Sequence, residues 1–87
     1  MISRTTRKFR DHYKLLSAEV QLLAKQSYIL FCADPHHPGL KFKKIQNSVL
    51  VSVRVGLHYR ALGIMTGSDT VTWSWIGHHS EYDKIIG

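Results

Sequence analysis

The first third of the chain repeats its apolar residues at helical spacing. The first stripe follows the pattern i, i+4, i+7 and consists of Phe9, Tyr13 and Leu16. The hydroxyl of Thr5 or Thr6 can cap this first helix. Ser17 interrupts the pattern and is the predicted cap of a second helix, which ends at Asp34 because Pro35 cannot continue it. Two amphipathic helices joined this closely predict a helical hairpin.

From residue 40 onward the apolar positions alternate with a period of two, which is typical of half-buried strands. Four strands are predicted: Leu40–Lys43, Val49–Val55, His58–Met65 and Thr70–Ile76. Short connections, such as the Thr66–Asp69 turn, favour an antiparallel meander. Gly77 is predicted to end the sheet, and Ser80 to cap a final helical turn through Ile86. The fold class is therefore α+β, with an N-terminal helical hairpin packed on a twisted four-stranded antiparallel sheet.

The alternation also predicts the two faces of this sheet. The face toward the hairpin carries valines and both tryptophans, including Val71, Trp73 and Trp75. The other face is expected to be open and polar, with Ser52, Arg54, Thr72 and Ser74. The face on which Arg60 lies is less clear, because alternation places it on the same face as the apolar residues Leu62 and Ile64. A bulge near Gly56 would change the register and move Arg60 to the other face.

Length and composition predict one globular domain spanning residues 1–87. Hydrophobic residues make up 44% of the chain and charged residues 21%, as in ordinary folded domains. No apolar run reaches the roughly 20 residues that a membrane span needs. No secretory signal is readable at the N-terminus, so a cytoplasmic protein without a membrane partner is expected. A single cysteine, Cys32, excludes an internal disulfide and a cysteine-based zinc site.

The formal net charge of +6 is concentrated in the first half of the chain. Residues 1–44 contain nine Lys and Arg against three Asp and Glu, whereas residues 45–87 contain three of each. This excess favours a polyanionic partner, either nucleic acid or an acidic protein segment. The plainer alternative is that it only keeps a small domain in solution.

Established enzyme motifs are missing, but the segment from Gly77 to Asp83 contains proton-transfer groups. His78 and His79 can accept or donate a proton near neutral pH, and Tyr82 adds a phenol. With Arg54 or Arg60 nearby to bind phosphate, such a set can cleave RNA without metal. Two adjacent histidines do not easily face one metal ion, so neither a metal nor another cofactor is predicted.

A structural interpretation of the same segment stays open at this point. Tyr82 would then pack in the core, the histidines would be solvated, and the arginines would pair with Glu81 or Asp83. Trp73 and Trp75 are similarly interpreted as core residues, with base stacking as the alternative.

The order of these elements, with their residues, resembles the RelE/ParE superfamily of bacterial toxins from type II toxin–antitoxin systems. The resemblance covers roughly residues 7–86 and rests on the basic hairpin and four segments: Leu40–Lys44, Ser52–Gly56, Tyr59–Gly63 and Trp75–Asp83. It implies a fold similar to that of microbial ribonucleases. It also implies an antitoxin that wraps the toxin with a flexible, often acidic segment, forming a hetero-oligomer.

The resemblance implies two activities in different branches. The RelE/HigB-like branch comprises mRNA interferases, endoribonucleases that bind RNA, many of them on the ribosome, and so inhibit translation. The ParE-like branch inhibits DNA gyrase and lacks the nuclease residues. We favour the first branch; the alternatives are a gyrase inhibitor and an inactive remnant that only binds an antitoxin.

Matching the sequence to the nuclease pattern gives candidate site residues. The catalytic candidates are Arg60 and Arg54, which would bind phosphate, and His79, His78 and Tyr82, which would transfer protons. The RNA-binding candidates are Lys41, Lys43 and Lys44. The lysines that the family commonly has on its central strand are replaced here by Val51-Ser52-Val53, so either proton removal would fall to a histidine or the enzyme would be weak or inactive.

Overall fold

The computed structural model describes residues 1–46 and 48–87, which form three helices and a five-stranded sheet. The elements in chain order are β1 (Ile2–Thr5), α1 (Arg7–Lys14), α2 (Ala18–Ala33), a 3₁₀ turn (Pro38–Leu40), β2 (Lys43–Lys44), β3 (Leu50–Val55), β4 (Tyr59–Thr66), β5 (Thr70–His78) and α3 (His79–Ile86). The strand order across the sheet is β1-β5-β4-β3-β2. The predicted α+β class is therefore confirmed, although the sheet differs from the prediction in several details.

The helix boundaries follow the predicted capping residues. The Thr6 hydroxyl accepts a hydrogen bond from the Phe9 amide at 3.1 Å, and the Ser17 hydroxyl accepts one from the Val20 amide at 3.3 Å. Helix α2 ends at Ala33, just before Asp34 and Pro35, as the sequence predicts. Phe31 of α2 is buried against the sheet, with its ring 5.3 Å from that of Trp73 in an edge-on contact. The core therefore lies between the helices and one face of the sheet.

Strand β1 is absent from the sequence-based prediction. Residues Ile2–Thr5 pair with Thr70–Trp73 in parallel, which makes the sheet mixed and five-stranded. The indole of Trp73 donates a hydrogen bond to the Ser3 hydroxyl at 2.9 Å and ties this edge strand to β5. The partner strand lies more than 60 residues away in the sequence, and four half-exposed residues give no local pattern that reveals such a pairing.

The predicted strand over Leu40–Lys43 is wrong for most of its length. Pro38 and Gly39 form a 3₁₀ turn that buries Leu40, and Lys41 takes a left-handed conformation with φ of 47°. The chain direction changes there, so only Lys43–Lys44 pairs with β3. At the start of β3, Val49 lies outside the strand and is exposed.

The two tryptophans lie on opposite faces of the sheet, contrary to the prediction. Trp73 pairs with Gly63 and Trp75 pairs with Leu62, so the register shifts by one residue between these pairs. Since neighbouring residues of a strand face opposite sides, the shift moves Trp75 away from the core face, where Ile76 takes its place. Trp75 instead lies against His12 of α1.

The face opposite the hairpin, which we call the back face, is less open than the sequence suggests. Strand β5 does not end at Gly77 but continues to His78, and α3 follows immediately. The N-cap of α3 is His78 and not the predicted Ser80. Nδ1 of His78 accepts a hydrogen bond from the Ser80 amide at 3.2 Å. Tyr82 of α3 covers Ser52, which is 2% exposed. No helix in the described part of the chain has the length and apolarity to cross a membrane.

Candidate active site

Two arginines form the floor of the candidate site on the back face. Arg54 of β3 and Arg60 of β4 are direct partners across the antiparallel ladder, so their side chains leave the sheet on the same side. The ambiguity about Arg60 is thereby resolved without a bulge near Gly56, which instead has φ of 63° in the turn joining the two strands. Like charges at directly opposed positions destabilise a sheet. A bound anion would compensate this cost.

The hydrogen bonds of the two arginines differ. Nη1 of Arg60 donates to the backbone carbonyl of Tyr59 at 2.8 Å and to that of Leu57 at 3.4 Å, which holds the guanidinium close to the strand end. Nε of Arg54 is buried and has no hydrogen-bond partner among the described residues. A buried donor without a partner costs free energy. The Nε–H of Arg54 can therefore still donate a hydrogen bond to a ligand that enters the site, and such a bond would recover this cost.

Helix α3 forms one wall of the site. His79, Tyr82 and Asp83 lie three and four positions apart and therefore share one helix face. The His79 amide donates to the His58 carbonyl at 2.8 Å, and this bond joins the start of α3 to the β3–β4 turn. The Tyr82 hydroxyl donates to the Ser52 hydroxyl at 3.1 Å beneath the helix. These two contacts fix the position of the helix on the sheet.

The arginines and α3 enclose a cleft of about 300 Å³, which we call the cationic cleft. It is lined by Lys41, Lys43, Ser52, Val53, Arg54, Arg60, His79, Tyr82 and Asp83. Four of these side chains are cationic and one is a carboxylate. The chain thus places groups that can bind a phosphate and groups that can transfer a proton around a single concave site, although they come from four separate segments.

Two of the candidates predicted from the sequence lie outside this lining. His78 uses its Nδ1 to cap α3, and its ring stacks on that of His58 with centroids 6.3 Å apart. Lys44 pairs with Val51 on the opposite face from Lys43, because successive strand residues alternate. The geometry therefore separates the two histidines that the sequence left equivalent, with His79 in the cleft.

The sequence-based reasoning did not identify two other residues near the cleft. Ser52 was assigned to an open surface, yet its hydroxyl lines the cleft and accepts the Tyr82 hydrogen bond. His58 lies in the β3–β4 turn, with its ring 6.1 Å from that of His79. Both depend on tertiary pairing, so no local sequence signal identifies them. No group of three or more His, Cys, Asp or Glu suited to holding a metal ion occurs among residues 1–46 and 48–87.

Known protein structures share this arrangement of elements. A chain of the RelB–RelE antitoxin–toxin complex from Methanococcus jannaschii is 17% identical, with 97% of this chain and 99% of that chain covered and a TM-score of 0.74. YafQ from Escherichia coli strain BL21(DE3) is 14% identical, with 92% and 94% covered and a TM-score of 0.71. The RelBE2 toxin–antitoxin complex of Mycobacterium tuberculosis contains a chain that is 19% identical, with 88% and 95% covered and a TM-score of 0.67. At such identities the likeness shows a common fold, that of RelE-like toxins.

A comparison of the sequence with protein-family models identifies the family. The family model of the ParE-like toxin domain matches residues 18–84. The chain belongs to this family and is thus a toxin of the RelE/ParE superfamily, which confirms the resemblance found in the sequence but does not decide between its two branches. No curated protein sequence matches the chain.

Proposed function

We propose that this toxin belongs to a type II toxin–antitoxin pair and inhibits translation as a metal-independent endoribonuclease that cleaves mRNA on the ribosome. The observation that carries the proposal is the convergence of Arg54, Arg60 and His79 on the cationic cleft. An RNA phosphate in this cleft would meet two guanidinium groups on the sheet and an imidazole on the helix. Lys41 and Lys43 extend the positive charge toward the neighbouring phosphates.

The reaction proceeds by attack of a ribose 2′-hydroxyl on the adjacent phosphorus. His79 takes the proton of this hydroxyl, and the bond between the 2′-oxygen and phosphorus forms as the bond to the 5′-oxygen breaks. Arg54 and Arg60 stabilise the charge that develops on the phosphoryl oxygens. The leaving 5′-oxygen takes a proton from the Ser52 hydroxyl, which takes one in turn from the Tyr82 phenol that donates to it. After the products leave, water returns a proton to Tyr82 and removes one from His79, so both groups are restored. The products are a 2′,3′-cyclic phosphate and a 5′-hydroxyl.

This mechanism predicts that the 2′-hydroxyl at the cleaved position is essential. We expect ribosomes carrying a defined mRNA to yield a fragment with a 5′-hydroxyl when the toxin is added. The same mRNA with a single 2′-deoxynucleotide at the cleaved position should stay intact, since its nucleophile is missing. Primer extension and 5′-end phosphorylation measure both results.

The matched control is an mRNA with the 2′-deoxynucleotide one position away, which should still be cleaved. Cleavage of the RNA that lacks the reacting hydroxyl would refute the proposed chemistry, because a water or hydroxide nucleophile would then be in use.

The antitoxin partner is proposed to bind on a different surface. A groove of about 570 Å³ between α1 and α2 is lined by apolar parts of Phe9, Tyr13, Tyr28 and Ile29. Tyr28 is 45% exposed and Ile29 is 69% exposed, and together with Phe9 and Tyr13 they form one contiguous apolar surface, which is the kind of patch that marks an interaction site. Arg10, Lys14 and Lys25 flank the groove, and no acidic residue lines it in the part of the chain that the structure describes. An amphipathic antitoxin helix with acidic flanks complements this surface.

Replacement of Ile29 by aspartate tests the groove. We expect Ile29→Asp to weaken antitoxin binding about 10- to 100-fold, since burying an isoleucine contributes about 1.5–3 kcal/mol. Binding is measured by calorimetry with the proposed cognate antitoxin. Leu22→Asp on the same helix is the control, because Leu22 is 57% exposed and lies outside the groove lining. Equal effects of the two substitutions would exclude the groove as the antitoxin site.

A further inference from the structure

A carboxylate lies where it should weaken the binding of RNA. Among the described residues, Asp83 is the one acidic side chain in the lining of the cationic cleft, beside Lys41, Lys43, Arg54 and Arg60. A negative charge close to a bound phosphate repels it and lowers the affinity. Asp83 therefore requires a compensating role if the cleft binds RNA.

The neighbouring acidic residue of α3 provides a contrast. Glu81 lies 3.6 Å from the ammonium group of Lys84 and lines a separate hollow with His12 and Trp75. Asp83 has no Lys or Arg within 4.0 Å in the part of the chain that the structure describes. Its nearest basic group is Nδ1 of His79, 3.8 Å from its Oδ2. Among the two carboxylates of α3, only Asp83 faces the candidate proton-transfer group.

We infer that Asp83 is a positioning residue that orients the His79 imidazole, an inference that rests on the proposed endoribonuclease function. The i, i+4 spacing holds both side chains on one helix face. A carboxylate that accepts the Nδ1–H bond selects the tautomer in which Nε2 is free to take a proton. It also stabilises the imidazolium that forms when the 2′-hydroxyl loses its proton. The present separation exceeds a hydrogen bond, as catalytic contacts often do before substrate binds.

Other groups close to His79 do not provide this orientation. The ring of His78 lies 4.4 Å from that of His79, but its Nδ1 bonds to Ser80. The ring of His58 lies 6.1 Å away, and its backbone carbonyl accepts the His79 amide. Arg54 and Arg60 carry only hydrogen-bond donors. Asp83 is the anionic acceptor within reach of the ring among the described residues.

The test compares Asp83→Asn with Glu81→Gln, because each removes one negative charge from α3 without changing the size of the side chain. We expect Asp83→Asn to lower kcat for mRNA cleavage about 10- to 100-fold, which is less than the about 10²–10⁴-fold that acid–base assistance contributes in full, because the base itself remains. KM should stay the same or fall, since a repulsive charge has left the cleft. Glu81→Gln should have the kcat of the wild type. Asp83→Glu should recover part of the lost kcat, because it restores the carboxylate.

The inference is overturned if Asp83→Asn cleaves as fast as Glu81→Gln, because Asp83 would then have no effect on the reaction. It is also overturned if Asp83→Asn cleaves faster than the wild type, because Asp83 would then act only by repelling RNA. That result leaves the proposed function intact, because the wild type still cleaves. Absence of cleavage by both the wild type and Glu81→Gln would instead refute the proposed function. Circular dichroism of each variant establishes that its fold is retained.

Discussion

Replacing His79 or Arg60 by alanine is expected to abolish most of the proposed ribonuclease activity while leaving the fold intact. His79 is half-exposed in the cationic cleft, and its removal deletes the proposed base. A general base contributes about 10²–10⁴-fold to the rate, and one electrostatic donor contributes about 10²–10³-fold. Both substitutions should lower kcat more than they raise KM, because these groups act mainly on the transition state. Cleavage of ribosome-bound mRNA measures the two constants.

Each of these variants has a matched control on the surface. Arg7→Ala removes an exposed cation of α1, and His36→Ala removes an exposed histidine of the loop after α2; neither residue lines the cationic cleft. Both controls should cleave at the wild-type rate. Wild-type kcat in His79→Ala and Arg60→Ala would remove these residues from the site, and the histidine would return to its structural interpretation.

Replacing Phe31 by alanine is expected to cause a large loss of stability. Phe31 is 2% exposed, and its ring makes edge-on contacts with Phe42 at 5.1 Å and Trp73 at 5.3 Å. Loss of a buried phenylalanine typically costs about 3–5 kcal/mol, which is a large share of the about 5–15 kcal/mol that stabilise a typical domain. Urea unfolding, followed by tryptophan fluorescence, measures the free energy of unfolding.

The control for this second prediction is Leu15→Ala at the end of α1. Leu15 is 83% exposed, so its truncation should change the free energy of unfolding by no more than about 0.5 kcal/mol. A loss below about 1 kcal/mol in Phe31→Ala would contradict the packing described here, because a well-packed ring cannot be removed at so small a cost.

Local sequence patterns predicted the parts of the fold that depend on neighbouring residues. Thr6 and Ser17 cap their helices because a hydroxyl before an amphipathic segment satisfies free amides at the helix start. The alternation in β3 placed Arg54 on the back face correctly. Non-local pairing was not predictable in this way. The pairing of β1 with β5 and the register shift beside Leu62 depend on residues distant in the sequence.

The candidate site could be predicted in its residue types but not in its geometry. The sequence suggested Arg60, His79 and Tyr82 from the chemistry that an RNA-cleaving site needs, and all three line one cleft. It could not separate His78 from His79, because the difference arises where β5 ends and α3 begins. It also missed the partnership of Tyr82 with Ser52, since the two lie 30 residues apart and meet only when α3 covers the sheet.

The most direct test of the endoribonuclease proposal is to map mRNA 5′ ends in bacteria after induced expression of the wild type and of His79→Ala. We predict new ends within translated messages on induction of the wild type, and their loss in the variant. Growth arrest with intact messages would contradict the proposal and indicate inhibition of DNA gyrase instead.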